Sequence, residues 1–225
     1  MVTYVKFMEQ LARGPLKNTP AVENTNLGEI CPDYVDSVLD LTNQGLVDIT
    51  TRLPLRRELV DLTFVDDQYL YPLVVAAAYL STTGLTTFVD DAFVKVLDIY
   101  DADGKRYQPN TGGHIITPTY NSLRFTAAMM DDDTGIGPTV RIQYQAKHLA
   151  IEEADTIDLP PNMIQALQLF VAYHFISDMG GKDHQQRGDN YYATYLRHVT
   201  EDEVRNTSGT SETEEDGRFE DAGFV

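Results

Sequence analysis

Apolar positions repeat with a helical period toward both ends of the chain. Near the start, apolar residues at positions 5, 8, 11 and 12 share one stripe, which predicts a helix over residues 3–13 that stops at Gly14-Pro15. A second stripe in "PDYVDSVLDLTNQGLVDITT" predicts a helix over residues 32–51, with Pro32 in its first turn. Residues 15–31, rich in Pro, Asn, Thr and Gly, are typical of a loop.

The middle of the chain changes to a period of two. The stretches "RRELVDLTFVDD" and "FVKVLDIYDADGKRYQP" alternate apolar and polar residues, and "SLRFTAAMM" and "TVRIQYQAKHL" also predict strands. The Asp-Gly of "DADG", set between two such runs, is the usual signal of a β-hairpin. Residues 73–81 are open between a strand and a buried helical turn. Five or six short strands with Gly and Asn turns predict a small antiparallel sheet or sandwich.

The stretch "IDLPPNMIQALQLFVAYHFISDMGG" (157–181) predicts a third helix. It starts at the double proline, with Asp158 as the expected capping residue, and it ends at Gly180-Gly181. A fourth helix, predicted over residues 185–204, would pair with the third as an αα-hairpin. The third helix is apolar almost all the way round, which indicates burial on most sides. We expect a neighbouring subunit to cover what the chain itself leaves open.

This order of elements predicts an α+β fold. A helical bundle built from both chain ends carries an inserted antiparallel β module, and a flexible acidic tail follows. The expected boundaries are 1–55 for the N-terminal helices, 56–155 for the β module, 156–205 for the C-terminal helical hairpin and 206–225 for the tail. The tail is rich in Ser, Thr, Gly and acidic residues and is expected to be disordered when alone.

Charge and cysteine content narrow the classes of function. The formal net charge of −18 argues against a free-standing nucleic-acid binder, which needs a basic patch to neutralise phosphates. The single cysteine, Cys31, allows no intrachain disulfide and is interpreted as a packed residue rather than a nucleophile. The first residues do not resemble a signal peptide, and no apolar run is long enough to span a membrane.

Motifs that could carry chemistry are weak. "DADGKRY" (101–107) starts like a calcium loop, but Gly104 falls at position 4 and Lys105 at position 5, so a hairpin is the favoured interpretation. "DDDTGIG" (131–137) could hold a cation, although an exposed acidic turn is the simpler interpretation. The five histidines lack zinc spacing, and no nucleophile elbow, P-loop or dinucleotide fingerprint is present. We therefore expect no enzyme activity, catalytic residues, cofactor or metal.

Three stretches carry a resemblance to a known family: residues 36–73, "FVKVLDIYDADGKRY", and residues 157–202 with the helix, Gly-Gly, helix pattern. In this order they resemble the head-to-tail adaptor, or connector, proteins of tailed bacteriophages. The resemblance covers about residues 32–202 and contains no sharp motif. The long acidic tail and the Pro-Asn-Thr loop at 15–31 depart from the family pattern.

The resemblance implies a structural protein of the virion neck, assembled in the host cytoplasm. Such adaptors form a homo-oligomeric ring, usually of twelve copies, between the portal protein and a tail or nozzle protein. DNA passes the lumen without specific binding, and no membrane is involved. The acidic balance and a tail that orders on a partner agree with this interpretation.

Two sets of residues are predicted to make these contacts. The tail is expected to dock onto the portal through Arg218, Phe219, Phe224 and Val225. Aromatic residues of the last two helices are expected to pack the hairpin and the subunits: Phe170, Tyr173, Phe175, Tyr191, Tyr192 and Tyr195. The alternative function is a phage tail or capsid accessory protein whose β module binds protein or carbohydrate, which exposed aromatic residues on that module would favour.

Overall fold

The computed structural model describes residues 1–22, 28–82, 92–130 and 136–221, and for Thr82 and residues 203–221 it describes the backbone. The fold is α+β, as the sequence predicts. The helices are α1 (Tyr4–Arg13), α2 (Val35–Arg52), α3 (Pro161–Asp178) and α4 (Lys182–Asp221). The strands are β1 (Val2–Thr3), β2 (Arg57–Thr63), β3 (Leu70–Pro72), β4 (Leu80–Thr82), β5 (Phe93–Tyr100), β6 (Arg106–Tyr107), β7 (Ile115–Ile116), β8 (Ser122–Phe125), β9 (Thr139–Ala146) and β10 (Thr156–Ile157).

Internal contacts divide the chain into two units. A helical unit contains Met1–Leu53 and Ala150–Val225, and a β module contains Pro54–Leu149. The sequence placed the module at residues 56–155, so the observed unit ends six residues earlier. Residues 150–155 belong to the helical unit because Asn43 exchanges two hydrogen bonds with the backbone of Ile151 and the Tyr4 N–H donates to the Asp155 carbonyl. The pairing of β10 with β1, with Val2 opposite Ile157, continues this attachment.

Helix α1 is short and packs into the helical unit through its apolar side. In α1, Tyr4, Phe7, Leu11 and Ala12 are buried. The backbone of Cys31 donates to the carbonyl of Ala21, which ties the connecting segment together. A 3-10 turn over Pro32–Tyr34 then leads into α2, so the predicted helix start at Pro32 is a 3-10 turn.

The α3–α4 hairpin starts and turns where the prolines and glycines predict. Pro161 is the first residue of α3, where its missing N–H costs no hydrogen bond. The prediction that Asp158 caps this helix is wrong, because the N-cap is Pro160 and no side chain caps the helix. At the turn, Gly180 and Gly181 have φ angles of 70° and 88°, a left-handed conformation that glycine adopts without strain.

The chain itself buries half of α3. It packs against α4, α2 and α1, and its nine buried residues, of 18, are Met163, Ala166, Leu167, Leu169, Phe170, Val171, Ala172, Phe175 and Ile176. Three helices of one chain therefore explain the burial of these apolar residues. Tyr173 and His174 on one side of α3 and Ile164 and Gln168 elsewhere stay half-buried, and whether a neighbouring subunit covers them stays a prediction.

Helix α4 is longer than the sequence predicts. It begins at Lys182 rather than Gln185, and it continues past Val204 as far as Asp221. The sequence predicts an extended tail from residue 206, whereas the backbone is helical from there to Asp221. A formed helix gains one hydrogen bond for each residue it adds, and the segment has several glutamates and no proline to stop it.

In its described residues, 54–82, 92–130 and 136–149, the β module has two antiparallel sheets around an apolar core. The strand order is β4-β2-β9-β5-β6 in the larger sheet and β3-β8-β7 in the smaller. The predicted alternation holds in β2, where Glu58, Val60 and Leu62 are buried. Core residues from both sheets include Tyr71, Phe125 and Ile142.

The structure also shows the conformation of two segments of the module, residues 73–81 and 122–130, that differ from their sequence-based predictions. Residues 73–81 form turns until β4 begins at Leu80, so neither the strand nor the helical alternative holds for the whole segment. The predicted strand "SLRFTAAMM" is β8 for its first four residues and a 3-10 turn over Ala127–Met129. The acidic turn 131–135 lies outside the described residues.

The Asp-Gly hairpin is confirmed. Strand β5 pairs with β6, with Ile99 opposite Tyr107, and Gly104 in the turn has a φ of 84°. One carboxylate oxygen of Asp101 accepts from the backbone N–H of Asp103 and Lys105, at 3.0 and 2.8 Å. The other accepts from the Tyr107 hydroxyl at 3.1 Å. This carboxylate stabilises the turn, as an Asx-turn does.

Candidate functional site

A groove of about 730 Å³ opens on the helical unit between α2 and α3. The α2 wall is mostly polar, the α3 wall is mostly aromatic, and Tyr192 of α4 joins the aromatic side. Its lining residues are Asn43, Gln44, Val47, Asp48, Thr51, Arg52, Phe170, Tyr173, His174 and Tyr192. We call this feature the α2–α3 groove.

A glycine sets how closely the two helices approach beside the groove. Gly45 of α2 is buried, and a Cβ atom placed there would lie 2.5 Å from Leu167 Cδ1 and 2.8 Å from Phe170 Cδ1. Real Cβ atoms do not come so close to carbon, so a larger residue would displace the side chains of Leu167 and Phe170. Gly45 therefore permits the close packing of these α3 side chains against α2 at this level.

The aromatic wall is a continuous set of ring contacts. The Tyr173 ring lies 4.6 Å from that of Tyr192 and 4.7 Å from that of His174, measured between centroids. His174 lies 4.5 Å from Phe170, and Phe170 lies 5.4 Å from Tyr195 in an edge-to-face arrangement. Rings in such contact restrict each other's rotamers, so the wall is a rigid aromatic surface.

A buried hydroxyl and a carboxylate link α4 to α2 below this wall. Tyr195 is fully buried, and its hydroxyl donates to Asp48 Oδ2 in a short hydrogen bond. The same oxygen accepts from Arg52 Nε at 2.8 Å. Burial, followed by the hydrogen bond to Asp48, raises the pKa of the Tyr195 hydroxyl well above its usual value of 10.0. The phenol therefore stays protonated and acts as a donor.

Asn43, at the rim of the groove, fastens α2 to the segment that precedes α3. Its side-chain amide donates to the Ile151 carbonyl at 3.2 Å and accepts from the Ile151 N–H at 2.8 Å. Both polar groups of that backbone position are thereby satisfied. The α2 wall is held at this point by a pair of reciprocal hydrogen bonds.

Four of the six residues predicted to pack subunits come together here. Phe170, Tyr173 and Tyr192 line the groove, and Tyr195 lies beneath it. Within the chain these four side chains are joined by ring contacts. Their contact with a second subunit stays a prediction.

The other two lie elsewhere on the helical unit. Phe175 packs edge-on against Tyr34 with centroids 5.5 Å apart. Tyr191 lies beside Arg187, whose guanidinium donates to the Tyr191 hydroxyl and, at 2.9 Å, to the Pro15 carbonyl. These two aromatics stabilise the unit away from the groove.

Sequence reasoning missed the α2 wall. Gly45, Val47 and Asp48 were interpreted only as parts of an amphipathic helix, although Val47 is 39% exposed. A glycine in the middle of an otherwise regular helix was the available signal, because it costs about 1 kcal/mol relative to alanine and implies a close approach.

The predicted portal-docking residues lie at the end of the chain. Arg218 and Phe219 fall within the backbone of α4, near its end at Asp221. Phe224 and Val225 lie outside the described residues. Their role in docking stays a prediction.

The β module carries a second concave surface of about 480 Å³ beside β5 and the segment that leads to β7. Tyr120 stands at its edge with 69% of its surface exposed. Inside, Asp98 accepts from Arg106 Nε at 2.6 Å, and Asn110 donates to Thr117 Oγ1 at 2.8 Å. The polar groups named here are used to hold the surrounding loops.

Within residues 1–22, 28–82, 92–130 and 136–202, no three His, Cys, Asp or Glu side chains come together as a metal site would require. Of the helices in the described part of the chain, none is both long enough and apolar enough to cross a bilayer.

Together, the elements define an α+β protein with a helical unit that has a partly exposed aromatic groove, and with a β module inserted in the sequence of that unit. No family model and no curated protein matches the sequence. Among solved structures, a chain from the "Neck of empty GTA particle computed with C6 symmetry" is 16% identical, and the match covers 84% of this chain and 87% of that chain. Its TM-score of 0.26 is too low for the likeness to carry an argument about fold or function.

Proposed function

We propose that this protein is a structural subunit of a bacteriophage neck. Copies form a ring that joins the capsid portal to the tail and lets DNA pass through the lumen. The observation that carries this proposal is the arrangement of elements. Both chain ends build the helical unit and the β module is inserted between them, which is the organisation implied by the sequence resemblance to head-to-tail adaptors.

The charge distribution supports passage of DNA without retention. The chain has 35 acidic and 17 basic residues, and many of the acidic ones are on the helical unit. Asp183 and Asp189, for example, lie exposed on α4. A negative wall repels phosphates and does not trap a moving duplex.

The C-terminal residues are proposed to dock onto the portal. Phe219 and Phe224 are the aromatic residues of the segment after Asn206, and aromatic side chains in a polar segment serve well as anchors in a partner's pockets. Arg218 would add a contact to an acidic or carbonyl-rich surface.

The test mixes the purified protein with its portal ring and images the product by electron microscopy. We expect added density below the portal for the full chain and none for a chain that lacks residues 206–225. The double variant Phe219→Ala/Phe224→Ala should bind at least about tenfold more weakly, since each buried aromatic is worth about 1 kcal/mol or more. Full-length protein that adds no density would overturn the proposal.

A second candidate function rests on the exposed aromatic residues of the β module. Tyr120 and Tyr69 are 69% and 44% exposed, and an exposed ring beside polar groups suits binding of a sugar or a protein loop. A tail or capsid accessory protein would use such a surface. Retention on a panel of host-surface glycans, lost in Tyr120→Ala, combined with no binding to the portal, would favour this function over the first.

A further inference from the structure

Large apolar side chains stay exposed at two places on the described part of the helical unit. On one side, Val5 of α1 is 62% exposed and the neighbouring Met1 is 89% exposed. On the other, Val47 of α2 is 39% exposed within the α2–α3 groove. A single exposed apolar residue is ordinary, but here one lies on the outer side of a helix and the other lies in a groove. We call the exposed surface made of Met1, Val5 and Lys6 the α1 ridge.

The ridge and the groove lie on opposite sides of α3. Gln168 of α3 donates to Gln10 of α1 at 2.8 Å, which marks the side of α3 that faces α1. With 3.6 residues per turn, Phe170 lies about 200° and Tyr173 about 140° around the helix axis from Gln168. Both line the groove. An exposed apolar surface and a groove on opposite sides of one subunit suit a contact that passes from each copy to the next.

Charge also matches between these two surfaces. Helix α1 carries Lys6 and Arg13 against Glu9, a formal charge of +1. Helix α2 carries three aspartates against Arg52, a formal charge of −2. Asp40 lies seven residues before Val47, two helical turns or about 10 Å along the same face. Helix α1, with its small net positive charge, would therefore approach the acidic helix α2 of another copy, within a chain that is otherwise strongly self-repelling.

We propose that the α1 ridge of one copy seats in the α2–α3 groove of the next copy. Val5 packs against Val47 and the aromatic wall, and Lys6 faces the acidic side of α2. The contact is heterologous, because the two surfaces differ, and a heterologous contact generates a ring when its rotation closes. This inference rests on the proposed ring function and identifies the surfaces that would build the ring.

Complementation between two variants tests the contact. Val5→Asp places a charge on the ridge and Val47→Asp places one in the groove, and both positions are exposed enough to leave folding intact. Each variant alone should self-associate at least about tenfold more weakly than the unmodified chain, because an unpaired carboxylate would be buried. In an equal mixture, the Val47→Asp copies keep an intact ridge and the Val5→Asp copies keep an intact groove. The mixture should therefore form dimers and no larger assemblies. Sedimentation velocity measures both results.

Ala193→Asp is the matched control. Ala193 is an exposed helical position on α4 that does not line the groove, so this variant should associate like the unmodified chain. Self-association by Val5→Asp at the normal strength would overturn the proposal. If Val47→Asp alone is impaired, another segment occupies the groove, and the assignment of the ridge is wrong.

A cross-linking measurement works even if the ring forms only on the portal. In a Cys31→Ser background, chains with Val5→Cys and chains with Val47→Cys are mixed, oxidised and separated under denaturing conditions, with and without the portal. We expect a disulfide-linked pair in greater yield than for Val5→Cys with Ala193→Cys. Equal yields refute the ridge–groove contact. Normal portal binding with equal yields would leave the neck function standing, whereas absence of portal binding would remove the function independently of the cross-link.

Discussion

Removal of one hydroxyl group from the helical unit tests how α4 is held to α2. In Tyr195→Phe the ring keeps its contact with Phe170, but the hydrogen bond from the phenol to Asp48 is lost. A hydrogen bond to a charged group contributes about 1.5–3 kcal/mol. The Asp48 side chain is 30% exposed and keeps Arg52 at 2.8 Å, so water and the guanidinium offset part of the loss. We expect the free energy of unfolding to fall by about 1–2 kcal/mol.

The assay is urea denaturation of the full chain, followed by far-ultraviolet circular dichroism and analysed by linear extrapolation. Tyr192→Phe, a half-buried neighbour on the same helix, is the matched control and should change stability by less than about 0.5 kcal/mol. A double-mutant cycle with Asp48→Ala should give a coupling of about 1 kcal/mol. Equal stabilities of Tyr195→Phe and the unmodified chain, or an equal loss in the control, would refute the reasoning.

Two further predictions concern packing and pH. Gly45→Val should lower stability by about 2 kcal/mol, because its side chain overlaps Leu167 and Phe170 where α2 meets α3; Gln44→Val, at an exposed neighbouring position, is the control in the same urea assay. Stability should also fall as pH rises above about 10, because the unfolded chain then releases phenolic protons that the folded chain retains. The effect is about 1.4 kcal/mol per pH unit for each buried tyrosine, and it should be absent below the unfolded pKa. Burial is the largest cause of the raised pKa in all three tyrosines concerned: Tyr4, Tyr144 and Tyr195. Urea midpoints at about pH 8 and about pH 11 measure it, and Tyr195→Phe should show a smaller drop than the unmodified chain if the account is correct.

Most helices, strands and turns could be predicted from local patterns in the sequence, because the type of each element depends mainly on neighbouring residues. The period of two in β2, the double proline before α3 and the Asp-Gly turn after β5 each act within a few residues, and each was predicted. The end of the β module depends on residues far apart. Residues 150–155 are attached to the helical unit through Asn43 and Tyr4, and no periodicity in that segment announces these contacts. The length of α4 differs from the prediction for a local reason: each residue added to a formed helix adds a hydrogen bond, which an interpretation based on Ser, Thr and Gly content underestimates.

The groove was partly predictable for the same reason. Its aromatic wall is concentrated in one hairpin, so Phe170, Tyr173 and Tyr192 stood out as a set, whereas the α2 wall comes from residues more than a hundred positions earlier. The burial of Glu58 in the β module also could not be predicted from the local sequence. It is explained by Tyr144, which donates to it at 2.8 Å across the sheet, and by Arg56 beside it. Pairings of this kind emerge only when the register of β2 against β9 is known.

The burial of α3 changes which part of the chain can drive assembly. A helix that is apolar all round suggests an uncovered face, yet α1, α2 and α4 bury nine of its 18 residues. The apolar surface that α3 leaves in the α2–α3 groove is the half-buried strip of Tyr173 and His174 beside Val47. That area is small, and a strongly acidic chain resists self-association, so a stable ring would draw on charge pairing and on the portal as a template as well as on apolar contact. Assembly in solution should then strengthen as added salt screens the general repulsion, and weaken again once the local pairing of Lys6 with Asp40 is also screened. Lys6→Glu should remove the weakening at high salt, and restoration of it by Asp40→Lys in the partner copy would link both residues to one contact.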